Sequence, residues 1–165
     1  MAIRGKAVKF GDNVDTDVIL PGEYLVLTDP TELAKHAMEG LDSTFAKRVQ
    51  GGAIIVAGKN FGCGSSREQA PLALKHAGVK CVLAESLARI FYRNAITIGL
   101  PVLECSEVSR RVEEGDELVV ELRAGEVKNK SNNLTLRATQ LPEFIMEILE
   151  DEGLIEYLRR RIESK

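Results

Sequence analysis

The sequence predicts an α/β fold: a mainly parallel sheet core flanked by helices, with an additional β-hairpin region. Three observations lead there. Between residues 53 and 104, short wholly apolar runs alternate with helical patterns, as expected for strands buried on both faces of a parallel sheet. After Glu114 the pattern changes to period-two alternation and a turn-rich hairpin, which belongs to antiparallel strands. Finally, 165 residues with 44% hydrophobic and 28% charged side chains suffice for one core and not for two. Residues 1–165 are therefore read as a single domain.

Residues 3–10 are the first predicted strand, ending in the polar turn Gly11-Asp12-Asn13. Residues 12–21 carry three aspartates, a threonine and a proline around short apolar stretches, which predicts a structured loop with a strand fragment. Asp29 before Pro30 reads as a helix cap followed by proline at the first helical position, and a helix is expected over 31–38. Strands are expected at 53–57, 81–84 and 101–104, and helices at 68–77, closed by Gly78, and at 88–96. Residues 116–122 alternate. Strands 126–129 and 134–137 flank a turn at Ser131-Asn132-Asn133, and helices over 142–150 and 154–162 end the chain.

A formal charge of −3 with pI near 5.5 offers nucleic acid no electrostatic footprint. Arg159-Arg160-Arg161 sits at a predicted helix C-terminus, where cations suit the dipole. No apolar run approaches the ~20 residues of a membrane span, and residues 1–6 lack an apolar signal core; a cytoplasmic location is expected. Cys63, Cys81 and Cys105 are odd in number and widely spaced, unlike a disulfide framework or a metal-ligand pair. Cys81 and Cys105 read as buried small hydrophobes. Cys63 lies among glycines, with no base nearby in sequence to activate it. His36 and His76 fall in predicted helices and read as surface or packing residues.

The chemically informative stretch is Lys59-Asn60-Phe61-Gly62-Cys63-Gly64-Ser65-Ser66-Arg67-Glu68. It follows a buried strand and precedes a helix, where open parallel sheets present ligand sites. Gly62 and Gly64 allow close backbone approach. Ser65 with Glu68, and Ser66 with Gln69, stand at capping-box spacing. Pro71 disfavours a helix that begins far upstream. Amides at the helix start and the Arg67 guanidinium are candidates for binding an anion. A serine in that field becomes a usable base only if its ionised oxygen is stabilised. Capping alone accounts for one of the two serines, and both readings stay open at this point. No histidine lies in the loop for a Ser–His pair, and the Gly-Lys-Ser/Thr of a phosphate loop is absent.

The run Asn60-Phe61-Gly62-Cys63-Gly64-Ser65-Ser66-Arg67-Glu68 resembles the signature of the small subunits of isopropylmalate isomerase and homoaconitase. Asp12-Asn13-Val14-Asp15-Thr16-Asp17 and Glu85-Ser86-Leu87-Ala88-Arg89-Ile90-Phe91-Tyr92-Arg93-Asn94 agree with it in order and spacing, over essentially the whole chain. The resemblance implies an aconitase-type swivelling domain that closes over a [4Fe–4S] cluster held by a separate large subunit. It implies no cofactor and no metal ligand in this chain. It makes Ser65 the base that removes the carbon-bound proton, with Ser66 and Arg67 on the substrate carboxylate and Gly64 beside it. Many relatives carry histidine where Gln69 stands, so no local histidine accepts the proton here.

In this family the loop after the aspartate-rich segment influences substrate choice. Its Val26 and Leu27 suit a branched alkyl group, whereas homoaconitase-like relatives tend to carry arginine at the position of Val26. The reading is therefore a hydro-lyase subunit, active only with its large subunit, that interconverts 2- and 3-isopropylmalate in leucine synthesis. The expected partners are the large subunit, in a heterodimer or heterotetramer, and a small dicarboxylate; a homo-oligomer of the isolated chain is left open. The alternatives are a homoaconitase or methylmalate (citramalate) isomerase subunit, and a non-catalytic anion-binding or regulatory module.

Overall fold

Alternation along Ala2–Lys9 makes β1, with Ile3, Ala7 and Val8 turned into the core and Arg4 and Lys6 outward. The computed structural model describes residues 1–164. β2 (Ala53–Ala57) is buried along its whole length, and β3 (Val79–Ala84) exposes only Lys80. Each large aliphatic side chain buried there contributes about 1.5–3 kcal/mol. β4 (Val102–Glu104), β3, β2 and β1 pair in parallel. Across its other edge β1 pairs antiparallel with β5 (Glu117–Glu121), which continues into β6 (Glu126–Asn129) and β7 (Leu134–Arg137). The order β4-β3-β2-β1-β5-β6-β7 is one 7-stranded sheet, so the expected hairpin region is continuous with the parallel core. The sheet also curls. Cys105 bridges to Ala138, and Thr139 N–H donates to the Glu104 carbonyl at 2.9 Å, which draws the two outer strands together.

Several short elements lie below the length that periodicity detects. Residues 12–21 do contain a bridge-forming fragment, but they then coil into α1 (Thr16–Ile19), where Asp15 Oδ1 accepts the Val18 N–H at 2.9 Å. A 3-10 turn follows at Gly22–Val26. α2 (Pro30–Ala34) is capped as expected, Asp29 Oδ1 accepting the Thr31 N–H at 2.9 Å. After Ala34 it tightens, the Lys35, His36 and Ala37 N–H groups donating to carbonyls three residues back, and Met38, at φ 58°, sends its N–H to the Ile19 carbonyl at 2.8 Å. α3 (Phe45–Arg48) and α6 (Val108–Arg111) had no periodic signal.

α4 is Gln69–Ala77, with neither serine capping it: Glu68 is the cap residue and makes no side-chain capping bond. Pro71 explains the late start, since its missing N–H costs nothing in the first turn. Gly78 closes α4 at φ 123°, where a Cβ would fall 2.2 Å from the Val49 carbonyl oxygen. α5 (Arg89–Thr97) buries Phe91, Ala95 and Ile96, and α7 (Glu143–Glu150) buries Ile145, Met146, Ile148 and Leu149. α8 (Leu154–Glu163) buries no residue. Cys81 and Cys105 are buried as expected, and burial alone pushes the Cys105 thiol up to about 11.

Candidate active-site face

Three parallel strands deliver the site. β1, β2 and β3 all point their C-terminal ends the same way, and residues 12–17, 58–68 and 85–88 follow those ends in turn. The three quoted segments therefore meet, although they are far apart in the chain. Asn13 N–H donates to the Lys59 carbonyl at 2.8 Å, Gly62 N–H to Val14 at 2.7 Å, and Thr16 N–H to Cys63 at 2.8 Å. On the other side Phe61 N–H donates to Ser86 at 3.1 Å and Ala88 N–H to Phe61 at 2.9 Å. The central loop is thus stitched on both flanks by short parallel bridges at Asp15–Cys63 and Phe61–Leu87.

Side chains complete the framework. Asp12 Oδ1 accepts the Lys59 N–H at 2.7 Å, Ser86 Oγ accepts the Asn60 N–H at 2.8 Å, and Asn60 Nδ2 donates to Asn13 Oδ1 at 3.2 Å. Gly62, at φ 84°, lies against Phe91 so closely that a Cβ would fall 2.2 Å from Cγ of that ring. Phe61 meets the same ring edge-on, with centroids 5.3 Å apart, an arrangement that favours aromatic pairs.

Beyond this rigid base the loop rises to the surface. Gly64, Ser65 and Ser66 are exposed, Cys63 and Arg67 partly buried. Gly64 sits at φ 95°, a conformation that L side chains rarely adopt. Thr16 Oγ1 donates to the Ser65 carbonyl at 2.8 Å, which ties the backbone of Ser65 to the aspartate-rich segment. Arg67 turns back: its Nη1 donates to the Leu20 carbonyl at 3.0 Å and its Nη2 pairs with Asp17. The Arg67 side chain is 16% exposed and that of Asp17 65%, so the carboxylate lies on the solvent side of the guanidinium. Gly22, the first residue of the 3-10 turn, packs over Arg67: a Cβ there would be 3.6 Å from Nη2.

Ser65, Ser66, Gly64 and Arg67 thus share one face. Val26 and Leu27 lie at the far end of the turn that begins over Arg67, Val26 being 83% exposed and Leu27 packed against the core. That turn is held by a cluster with no signal in the sequence. The rings of Tyr24 and His36 stack at 3.6 Å and 8°. Glu39 then engages both, accepting from Tyr24 Oη at 3.3 Å and meeting His36 Nδ1 at 2.6 Å. Burial and the Glu23 and Glu39 carboxylates raise the Tyr24 pKa, so the phenol stays protonated and donates. His36 lies beyond α2 rather than within a helix. Thr16, Asp17 and Leu20 are further site residues; for the first two the only signal was the Asp-Thr-Asp motif.

Chemically, the face offers an exposed hydroxyl next to a guanidinium that already holds one carboxylate, that of Asp17. Among the described residues no group of three or more His, Cys, Asp or Glu side chains is placed to hold a metal ion, and no helix is long and apolar enough to cross a membrane.

Comparison with known proteins gives a consistent assignment. Residues 22–108 match the model of the aconitase C-terminal domain. An isopropylmalate/citramalate isomerase small subunit of Methanocaldococcus jannaschii is 59% identical over 97% of this chain and 95% of its own length. A 3-isopropylmalate dehydratase small subunit of Halothermothrix orenii is 57% identical over 96% of each chain. The crystal structure of 3-isopropylmalate dehydratase from Methanocaldococcus jannaschii superposes with a TM-score of 0.93 at 48% identity, covering 99% of this chain and 98% of that one. On this fold, these three converging loops and this similarity along nearly its whole length, the chain belongs to the small-subunit family of 3-isopropylmalate dehydratase, built on the aconitase C-terminal domain.

Proposed function

We propose that the chain supplies the base and carboxylate-binding half of a two-subunit hydro-lyase that interconverts 2- and 3-isopropylmalate by dehydration and rehydration. The observation that carries this reading is the joint anchoring of Ser65 and Arg67 to the segment 15–20, which puts a hydroxyl and a guanidinium on one open face. Arg67 receives a substrate carboxylate where Asp17 now pairs with it, and its second anchor at Leu20 keeps the planar fork oriented for bidentate contact. Ser66 adds a hydroxyl contact. Gly64 brings the backbone close to the substrate. Ser65 then removes the carbon-bound proton and returns it during rehydration, its developing alkoxide stabilised by the adjacent positive field.

The [4Fe–4S] cluster of the large subunit supplies Lewis-acid activation of the leaving hydroxyl. The three cysteines of this chain do not fit as its ligands: Cys81 is buried on β3, Cys105 is buried just beyond β4, and Cys63 lies on the loop. Their positions support a cluster held by the partner, with the two chains closing over the substrate between them in the cytoplasm.

Val26 and Leu27 present an apolar lip to the alkyl branch of the substrate. A second substrate reading, citramalate alongside isopropylmalate, is favoured by the 59% identical relative named for both. Anaerobic co-expression with the cognate large subunit and assay on 2-isopropylmalate and citramalate tests both. Turnover is expected from the pair and from neither chain alone; a reconstituted complex inactive on both substrates would overturn the reading. Val26→Arg is expected to shift preference toward a substrate with an extra carboxylate.

A further inference from the structure

The parallel strands have a second end, away from Ser65, and there the charge balance of the chain is locally inverted. A cavity of about 470 Å3 opens beside the start of β2 and is lined by Arg4, Lys6, Arg48, Lys80 and Lys130, with Glu117 its single acidic side chain. Arg48 is already engaged by Asp42 and Glu114. Arg4, Lys6, Lys80 and Lys130 form no ion pair among the described residues, in a chain whose formal charge is −3.

These cations are gathered by the sheet. β1 places Arg4 and Lys6 on one outward face, two residues apart, and β5 runs alongside with Glu117 opposite Lys6. Lys80 comes from β3 and reaches across β2, its Nζ donating to the Arg4 carbonyl at 3.2 Å. It lies close over Gly52, where a Cβ would fall 2.3 Å from Lys80 Cε. The bond to the Arg4 carbonyl places the Lys80 ammonium at the cavity. Like charges assembled this way repel, and the arrangement gains most from a bound counter-charge.

We propose that this cleft binds a compact, multiply charged phosphate anion of the pyrophosphate class. Lysine ammonium groups act as point charges that meet phosphate oxygens from any direction, and Arg4 adds a planar fork. With Glu117 opposite Lys6, a monoanion would still leave two of the four cations unbalanced. The volume lies in the range of small-molecule sites, whereas a nucleic-acid surface needs an extended basic stripe. The proposal is independent of the role of Ser65, since the cleft adjoins the beginning of β2 and the catalytic loop follows its end.

Titration of the full chain with inorganic pyrophosphate at low salt, followed by calorimetry, tests it. A single saturable site is expected, weakened about tenfold or more by Lys6→Glu combined with Lys80→Glu. The charge-matched pair Lys47→Glu with Arg137→Glu, outside the cavity, should retain near-wild-type affinity. Thermal melts establish that each variant is folded; should the double variant fail to fold, Lys6→Ser and Lys80→Ser are compared by 31P line broadening. Absence of saturable binding overturns the proposal. So does an equal loss in both charge-matched pairs, or binding of a duplex oligonucleotide without binding of pyrophosphate.

Discussion

Arg67 donates from Nη1 to the main-chain carbonyl of Leu20 at 3.0 Å, and this bond fastens the serine loop to the segment that leads into the 3-10 turn Gly22–Val26. The same guanidinium holds Asp17. Arg67→Lys keeps the charge and loses the fork, so it cannot serve Leu20 and a carboxylate in the same geometry. In the reconstituted enzyme kcat/KM on 2-isopropylmalate is expected to fall about 100-fold or more, the scale of a lost charge-paired contact. Steady-state kinetics of the complex measures it, and a loss under threefold would remove Arg67 from the carboxylate site.

Ser65 is exposed and its backbone, not its hydroxyl, makes the bond to Thr16. Ser65→Ala should therefore change stability by no more than about 0.5 kcal/mol, while kcat falls about 100-fold to 10,000-fold with little change in KM. Ser66→Ala is expected to act mainly on KM. Wild-type turnover by the Ser65 variant would end its assignment as base.

Gly62 has no room for a side chain. A Cβ at φ 84° would sit 2.2 Å from Phe91 Cγ, so Gly62→Ala combines overpacking with backbone strain. Chemical denaturation should show a loss of about 2–4 kcal/mol. Adding Phe91→Ala should cost less than the sum of the two single changes, because both act on one contact.

The Tyr24–His36–Glu39 cluster predicts a dynamic effect. Removing the carboxylate in Glu39→Ala frees both the Tyr24 hydroxyl and the His36 ring. Hydrogen exchange is expected to quicken at the Tyr24 and Leu27 amides, which bond to Pro21 and Tyr24 at 3.0 and 3.1 Å, because local opening of the turn becomes easier. Amides in β2 should be unaffected. If the turn amides keep their protection, the cluster does not hold it.

Acid sensitivity should concentrate partly at Asp116. The backbone N–H of Glu113 and the buried Asn129 amide hydrogen-bond its carboxylate and lower its pKa. The native state therefore binds fewer protons here than the unfolded chain. This contribution is fully present above the unfolded aspartate value of about 3.9 and is lost as pH falls through the lower native value. Asp116→Asn should be less stable at pH 7 and show a shallower fall in stability below about pH 4; an unchanged acid slope would contradict this.

Elements long enough to show a period were legible in the residues: β2, the hairpin strands β6 and β7, and helices α4, α5, α7 and α8 lie within a residue or two of expectation. α1, α3 and α6 were not, since four residues cannot display a helical repeat. The length of α2 was misread for a different reason. A distant carbonyl, that of Ile19, takes the amide of Met38, and nothing between residues 31 and 38 announces it.

The candidate site divides along the same line. Its chemistry is local: a Gly-Ser loop between a buried strand and a helix carries Ser65, Ser66 and Arg67 within three residues, so residue types and adjacency alone named them. Its assembly is not local. Parallel strands bring loops far apart in the chain to one end, and only that juxtaposition gives Arg67 its anchor at Leu20, Ser65 its tie to Thr16, and Gly62 its seat on Phe91. The sequence by itself determined the strand and helix pattern, the candidate loop and its family, because these follow from periodicity and short-range motif. Tertiary structure alone decided that the serines do not cap α4, that Asp17 occupies the guanidinium, that Tyr24 and His36 stack beneath Glu39, and that four cations without an ion pair among the described residues share a cleft. Each of these depends on residues that only the folded chain brings together, and periodicity and short-range motif carry no trace of it.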